Sequence, residues 1–282
     1  MRRIGPVFAM IFAIFVSAAQ AAPTEYYIPK PDGKYDNHAY LVNPEKYSFN
    51  LVKNSVVRLE NTTEFKGSDG RPVSNTRIGG GVILGKYVLT VAHVSVQDAL
   101  KIPMPPFGSI AIPARKISEK TFAVLDGVKV LLTAVHIKRE DDIAIFKLPD
   151  DISVGAFPYE IGDSDDLEIG NMVYVVGNPL NMGVNVRQGI VSAVEAPKET
   201  EGVDGKSKNF FMLSSGVYGG DSGTPVIAVR DGRFELVGIS EGVFGSADQL
   251  GFAIRINVVK RIVEDCRKCS EDLKDIFRKK AR

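Results

Sequence analysis

Short runs of β-branched and aromatic residues recur along this sequence, separated by turns rich in glycine, proline, asparagine and aspartate. This alternation predicts an all-β sandwich or barrel rather than a helical or mixed fold. The runs form two sets of six on either side of the acidic stretch 149–171. They cover 55–59, 78–84, 87–91, 110–117, 128–137 and 143–148, then 172–176, 186–194, 210–213, 225–229, 234–239 and 251–254. We therefore predict a domain at 55–255 that contains two six-stranded β-barrels, at about 55–150 and 165–255.

The N-terminus has the composition of a targeting segment. Arg2 and Arg3 precede an apolar run at 4–16, and Ala19-Gln20-Ala21 follows, which is the order of a secretory signal peptide over 1–21. The apolar run has 13 residues, whereas a membrane span needs roughly 20, so an uncleaved anchor is the less favoured alternative. We expect an exported protein, periplasmic or secreted, with no membrane span after signal removal.

The segments that flank the predicted domain differ from it in pattern. Residues 22–54 form an extension rich in tyrosine, proline and asparagine, which either packs on the domain or mediates a homo-oligomer. Residues 256–282 carry apolar residues at three- and four-residue spacing, which predicts an amphipathic C-terminal α-helix capped by Asn257. Within the domain, the polar stretch 61–76 predicts an exposed hairpin loop. The tyrosines expected to attach the extension are Tyr26, Tyr27, Tyr35 and Tyr40.

Composition excludes several classes of function. Lys and Arg number 35 against 34 Asp and Glu, so no excess of positive charge favours a nucleic-acid partner. The two cysteines, Cys266 and Cys269, cannot build a disulfide scaffold. A zinc site there would need two more ligands, and no histidine after His136 is present to supply one. We expect these cysteines to be packed or oxidised, and we predict no metal and no organic cofactor. Any histidine chemistry must use His38, His93 or His136.

Three short segments carry the residues of nucleophilic catalysis. The segment 219–225 reads GGDSGTP and places Ser222 between glycines, which allow a sharp turn that exposes the hydroxyl. His93 ends the segment LTVAH, and Asp142 opens the strand segment DIAIF. A serine hydroxyl needs a neighbouring base, and that base needs a carboxylate to orient it. The order His93, Asp142, Ser222 supplies all three, with the serine in the second predicted barrel.

These segments resemble the chymotrypsin/trypsin-like serine peptidases, and most closely the bacterial HtrA (DegP-type) branch, over about 55–263. The similarity rests on TVAH, DIA and GDSGTP and on further segments in the same order. Those are GGGVIL at 79–84, GDSDDLEIG at 162–170, VGNP at 176–179, QGIVS at 188–192 and GFAI at 251–254. The resemblance implies two chymotrypsin-like barrels, a His93–Asp142–Ser222 triad and an oxyanion hole formed by the backbone N–H groups of Gly220 and Ser222.

The sequence departs from the HtrA branch at informative places. Asp221 stands where that branch usually has asparagine. An aspartate at this position suggests an ion pair with the ammonium group of a new N-terminus, as in trypsin. We do not expect this ion pair, because at least 30 residues separate the signal cleavage site from the first strand. Five residues follow Phe277, so we expect a peptidase domain without a PDZ domain.

Other residues compete with the proposed triad. Ser164 lies in a second GDS string, but it lacks the flanking glycine and matches a structural turn of the family. Asp141 precedes Asp142, and the resemblance selects Asp142 because the family aspartate stands directly before Ile-Ala. We expect His136 at the surface and His38 in the solvated extension.

The resemblance also locates a substrate pocket, at Gly216, Val217, Tyr218, Ser240, Glu241 and Gly242. No aspartate stands at Gly216, so a preference for basic residues is not expected, and we predict cleavage after small or aliphatic residues. The predicted function is an exported serine endopeptidase acting on protein or peptide substrates. The alternative is a latent or inactive binding protein with a peptidase fold, because the sequence leaves the conformation of the loop 219–222 open.

Overall fold

A computed structural model describes residues 31–35, 42–103, 109–198, 206–244 and 247–278, all of which belong to the unit Pro31–Arg282. The predicted signal peptide at 1–21 and the residues Tyr26, Tyr27, His38 and Tyr40 lie outside this described part. No helix within these ranges combines the length and apolarity that a membrane crossing requires.

Strands account for most of the described structure. They are β1 (Val56–Gly67), β2 (Pro72–Leu84), β3 (Tyr87–Val91), β4 (Leu100–Pro103), β5 (Ser109–Ile112), β6 (Ala114–Leu125), β7 (Val128–Leu131), β8 (Thr133–Lys138), β9 (Ile143–Lys147), β10 (Glu160–Ile161), β11 (Met172–Gly177), β12 (Asn185–Ala193), β13 (Phe210–Leu213), β14 (Pro225–Arg230), β15 (Arg233–Phe244) and β16 (Ala247–Arg255). The α-helices of the described part are α1 (Phe49–Lys53), α2 (Ala92–Ser95), α3 (Ile256–Asp265) and α4 (Glu271–Arg278).

The strands form two large antiparallel sheets, one from each half of the domain. In the second half, β15, β14, β11, β12, β13 and β16 follow one another, and β15 pairs with β16, so these six strands close into a barrel. The short β10 adds a parallel strand at the outer side of β15. In the first half, the order β7-β6-β1-β2-β3-β9-β8 makes a curled sheet of seven strands, and β4 and β5 form a separate hairpin. The predicted all-β class with two barrel-like halves is confirmed, although the first sheet does not close among the described strands.

The hairpin of β1 and β2 is longer than the sequence predicted. The two strands pair from Val56↔Val82 to Lys66↔Pro72, so most of the polar stretch 61–76 is strand rather than loop. Asn61 and Thr63 are fully buried, and the Asn61 amide donates to Ser95 O at 2.7 Å and to Thr121 Oγ1 at 3.0 Å. These partners satisfy the buried polar groups, which is why a polar sequence stays within the sheet.

Glycines in β2 bring the first sheet against the second half. A Cβ at Gly80 would lie 2.2 Å from Thr224 Cγ2, and one at Gly79 would lie 3.1 Å from the Ser222 carbonyl oxygen. The N–H of Gly80 donates to Ser222 O at 2.8 Å. The run 79–81 therefore packs its backbone directly on the loop that carries Ser222, which a side chain would prevent.

The C-terminal helix predicted over 256–282 is two helices. The helix α3 buries Ile262 and Val263, and α4 buries Leu273 and Phe277. Between them, Cys266 and Cys269 are joined by a disulfide. These cysteines are three residues apart. This spacing fits the helical pattern, but it fits a four-residue turn equally well. Helix α3 begins after Arg255, so Asn257 is not its cap; its amide donates to Asp163 Oδ1 at 2.6 Å.

One tyrosine of the predicted extension packs on the second half. Tyr35 is buried, its hydroxyl donates to Glu235 Oε2 at 2.8 Å, and the Arg230 guanidinium lies 4.0 Å from its ring centroid. Its carbonyl accepts the Asn171 amide at 2.8 Å. The segment 31–35 is thus attached to the second half by buried polar contacts.

Candidate active site

His93 and Asp142 meet where two neighbouring strands of the first sheet begin and end. Strands β3 and β9 pair with Val91 opposite Ile143, which puts the residues that follow β3 next to the residue that precedes β9. Asp142 Oδ2 lies 2.7 Å from His93 Nδ1, and its Oδ1 accepts the backbone N–H of His93 at 2.7 Å. Asp142 has a left-handed backbone with φ of 52°, which aspartate tolerates better than most residues. The carboxylate therefore fixes both the ring and the backbone of His93.

The charges around His93 favour its protonated form. Burial lowers the pKa of His93, but the hydrogen bond to Asp142 and the charges of Asp142 and Glu241 raise it by more. The resulting pKa lies above the ordinary histidine value of about 6.5. Histidine is the side chain whose ordinary pKa lies closest to physiological pH, so it is suited to accept and return a proton.

Ser222 follows a tight turn on the second half. The N–H of Asp221 donates to Tyr218 O at 2.9 Å, and Gly220 within this turn has φ of +102°. A Cβ at Gly220 would also lie 2.5 Å from the Asn178 carbonyl oxygen, so only glycine fits both the dihedral angle and the space. Neither the N–H of Gly220 nor that of Ser222 has an acceptor within the part of the chain that the structure describes. Gly220 is buried, and Ser222 is partly exposed.

The Ser222 hydroxyl does not bond to His93. Its Oγ donates to the backbone carbonyl of Glu241 at 2.9 Å, and the described residues contain no hydrogen bond between Ser222 and the His93 ring. Glu241 is a bulge residue, because the pairing of β15 with β16 shifts between Ser240 and Gly242. The structure therefore brings His93 and Asp142 into contact and places Ser222 against the strand segment beside them.

Glu241 links the two sides of the site. Its carbonyl accepts from Ser222, and its carboxylate Oε1 lies 4.0 Å from His93 Nδ1. Burial raises the pKa of Glu241 and the charge of Asp142 raises it further, while His93 lowers it. The sequence indicated Glu241 only as a pocket residue, and no local signal predicted the bulge that turns it toward His93.

Arg77 is a second residue near the site that the sequence did not indicate. From β2 its Nη1 donates to the carbonyl of His93 at 2.8 Å and to that of Val96 at 3.3 Å. It thereby supports α2, which carries His93. Arg77, His93 and Asp142 also line a cavity of about 260 Å³. Lys101 and the ion pair of Arg139 with Asp98 at 2.6 Å line it as well.

The residues predicted to form the pocket differ in their exposure. Val217 is buried in the core of the second half, and Ser240 is fully buried with its hydroxyl donating to Asp221 O at 3.1 Å. Tyr218 is exposed, and a Cβ at Gly242 would meet no atom within 4 Å. Gly216 and Glu241 are partly exposed. Of the predicted pocket residues, Tyr218, Glu241, Gly216 and Gly242 therefore have exposed surface, and Val217 and Ser240 do not.

The competing residues have other partners. Asp141 forms ion pairs with Lys138 at 2.9 Å and Lys206 at 3.2 Å. Ser164 is fully buried and accepts the N–H of Asn257 at 3.1 Å, at the start of α3. His136 lies in β8, six residues before Asp142, and lines a different cavity, with Cys266 and Lys268.

Within the described part of the chain, one group of three side chains lies close enough together to hold a metal ion. Ligand atoms of His93, Asp142 and Glu241 lie within 4.8 Å of one another. The direct hydrogen bond between His93 and Asp142 already pairs two of the three groups.

Two antiparallel barrel-like halves, with a hydrogen-bonded His–Asp pair on one and a glycine-flanked serine on the other, define a chymotrypsin-like fold with the residue set of a serine hydrolase. Residues 73–239 match the family model described as "Trypsin-like peptidase domain". The chain belongs to this family.

The chain is similar to several known members of the family. It is 30% identical over 193 residues to the Arabidopsis thaliana protein named "Putative protease Do-like 14". This match covers 68% of this chain and 41% of that protein. It is 29% identical over 237 residues to "Serine protease HtrA-like" of Staphylococcus epidermidis, covering 78% and 36%. The chain thus spans about two fifths of the length of the curated relatives it matches.

Solved structures of HtrA-type proteases share the fold. "HtrA-type protease AlgW with tripeptide" has a TM-score of 0.53 at 21% identity, covering 77% of this chain and 63% of that one. A variant of the same protease with a decapeptide has a TM-score of 0.56 at 21% identity, covering 78% and 68%. The predicted chymotrypsin-like fold and the resemblance to the HtrA branch are confirmed.

Proposed function

We propose that this protein is an exported serine endopeptidase that hydrolyses peptide bonds through an acyl-enzyme. The observation that carries the proposal is the hydrogen bond between His93 Nδ1 and Asp142, in a chain whose Ser222 follows a glycine turn beside Glu241. Membership of the trypsin-like peptidase family supports the same reaction.

In the proposed reaction Ser222 is the nucleophile and His93 is the base. The Ser222 hydroxyl turns from the Glu241 carbonyl toward His93 Nε2, gives up its proton and attacks the substrate carbonyl carbon. His93 then donates this proton to the leaving amine as the C–N bond breaks, and water hydrolyses the ester by the same route. Asp142 holds the ring and stabilises the imidazolium.

The tetrahedral intermediates carry a negative oxygen that needs hydrogen-bond donors. The N–H groups of Gly220 and Ser222 serve as these donors in the proposal, since neither has an acceptor among the described residues. Preorganised donors of this kind each contribute about 10²–10³ in kcat. No metal or organic cofactor takes part.

The proposed substrates are exported proteins or peptides, cleaved after small or aliphatic residues in a pocket beside Gly216, Tyr218, Glu241 and Gly242. A protein from Haemophilus influenzae that is 28% identical over 205 residues is named as a periplasmic serine protease, and the composition of residues 1–21 supports export of this chain as well. A homo-oligomer is compatible with the proposal.

Labelling with an active-site fluorophosphonate tests the proposed function. The purified wild type should be labelled and should hydrolyse a denatured protein such as casein, whereas Ser222→Ala should do neither. Ser164→Ala is the matched control, because it removes the serine of the other GDS string, and the folded variant should be labelled like the wild type. Labelling that persists in Ser222→Ala would overturn the assignment.

A second candidate is a latent or inactive protein with the peptidase fold. The observation that favours it is the hydrogen bond from Ser222 Oγ to Glu241 O, which leaves the hydroxyl away from His93. Wild-type protein that is folded but not labelled, alone or with added peptides, would support this second candidate against the first.

A further inference from the structure

The residue before the proposed nucleophile is a completely buried carboxylate. Asp221 has no exposed surface, and a Cβ at Gly177 would lie 2.2 Å from its Oδ1. Burying a charge away from water is costly unless a partner of opposite charge accompanies it. Burial raises the pKa of Asp221, whereas the N–H of Tyr218 and the charge of Arg187 lower it.

The partner of Asp221 comes from a distant strand. Arg187 Nη2, on β12, lies 2.8 Å from Asp221 Oδ2, and the N–H of Tyr218 donates to the same oxygen at 2.8 Å. The Arg187 guanidinium also lies 5.4 Å from the centroid of the Tyr218 ring. Arg187 therefore contacts both ends of the turn from Tyr218 to Asp221, which contains Gly220.

This ion pair lacks the surrounding hydrogen bonds that would make it a strong source of stability. All three guanidinium nitrogens of Arg187 and Asp221 Oδ1 are buried without a hydrogen-bond partner among the described residues. A buried pair with unmet polar groups often contributes less to stability than apolar residues of the same size. Its position directly beside Ser222 suggests that it serves the geometry of the turn.

We propose that Arg187 is a positioning residue for the oxyanion hole: acting through Asp221, its charge holds the turn that carries the N–H groups of Gly220 and Ser222. Asp221 thus has its cation inside the folded chain, and no ammonium group of a new N-terminus is required. The inference rests on the proposed peptidase function, because the oxyanion hole matters only if Ser222 reacts.

Removing only the cation is the direct test. In Arg187→Met the Asp221 carboxylate is left uncompensated, so it must move toward water or take up a proton, and either change displaces the turn. With a peptide substrate kcat should fall on the order of 10²-fold, as for the loss of one oxyanion donor, while KM changes by less than about threefold. Arg187→Lys keeps the charge and should retain most of the activity.

The double variant Arg187→Met/Asp221→Asn separates charge from packing. It removes both buried charges, so at least tenfold of the lost kcat should return. The matched control is Arg230→Met, which breaks a buried ion pair to Glu235 (3.0 Å) in the same half without contacting the turn. Its melting temperature should fall, but the kcat of the folded protein should not change.

The outcomes distinguish the two proposals. A folded wild type without activity overturns the proposed peptidase function, and this inference with it. An active wild type overturns the inference alone if Arg187→Met stays within threefold of it in kcat, or if the double variant is no better than the single one. If Arg187→Met does not fold, the double variant decides: activity supports the inference, and a folded inactive protein or loss of folding in both overturns it.

Discussion

The carboxylate of Glu241 lies 4.0 Å from Nδ1 of His93, on the side of the ring that already bonds to Asp142. The carbonyl of the same residue accepts a hydrogen bond from the Ser222 hydroxyl, and the residue lies in a bulge of β15. One residue thus contacts the proposed nucleophile and acts electrostatically on the proposed base.

Glu241→Gln should move the acid limb of the activity profile to lower pH. His93 must be neutral to act as a base, so kcat/KM falls as the pH drops through the pKa of His93. The Glu241 charge raises that pKa, and its removal therefore lowers it. The measurement is kcat/KM against pH for both proteins.

The control for this prediction is Glu168→Gln, which removes an exposed carboxylate elsewhere on the second half. Its acid limb should coincide with that of the wild type. An acid limb that moves to higher pH in Glu241→Gln would contradict the role given to the carboxylate.

Asp142→Asn should lower activity far more than Glu241→Gln, although both changes remove a charge that raises the pKa of His93. An amide at this position presents an N–H group to His93 Nδ1 and so favours the wrong tautomer of the ring. We expect a loss of about 10⁴ in kcat, measured with a peptide substrate at neutral pH. A loss below tenfold would contradict the assignment of Asp142.

Gly220→Ala should disrupt the turn that carries the proposed oxyanion donors. Gly220 has φ of +102° and its Cβ would lie 2.5 Å from Asn178 O, so the turn must shift. The expected loss is about 10²–10³ in kcat, as for one oxyanion donor. Gly219→Ala is the matched control, since a Cβ there meets no atom within 4 Å, and it should remain within about threefold of the wild type.

Reduction of the disulfide between Cys266 and Cys269 should lower the free energy of unfolding by about 2 kcal/mol, the chain-entropy value for such a short loop. Urea unfolding with and without dithiothreitol measures this difference. The variant Cys266→Ser/Cys269→Ser should be insensitive to the reductant. A wild type whose unfolding midpoint is unchanged by dithiothreitol would show that the disulfide adds no stability.

Several features could be predicted because they depend on short segments. Alternating runs and turn residues indicated the strands, and the glycines around Ser222 indicated its turn, since each pattern records a local backbone requirement. The longer hairpin at 61–76 escaped prediction because Asn61 is satisfied by Ser95 and Thr121, which are remote in the sequence. The break after α3 escaped it because helical spacing also suits the turn from Cys266 to Cys269.

By itself the sequence determined the all-β class, the family resemblance and the three residues proposed for catalysis. Only the tertiary structure decided how they are arranged: Asp142 bonded to His93, Ser222 bonded to Glu241 O, and Asp221 paired with Arg187. The reason is physical. Strand pairing and bulges set which distant side chains share a buried space, and partners 34 or 49 residues apart leave no periodic trace in the chain.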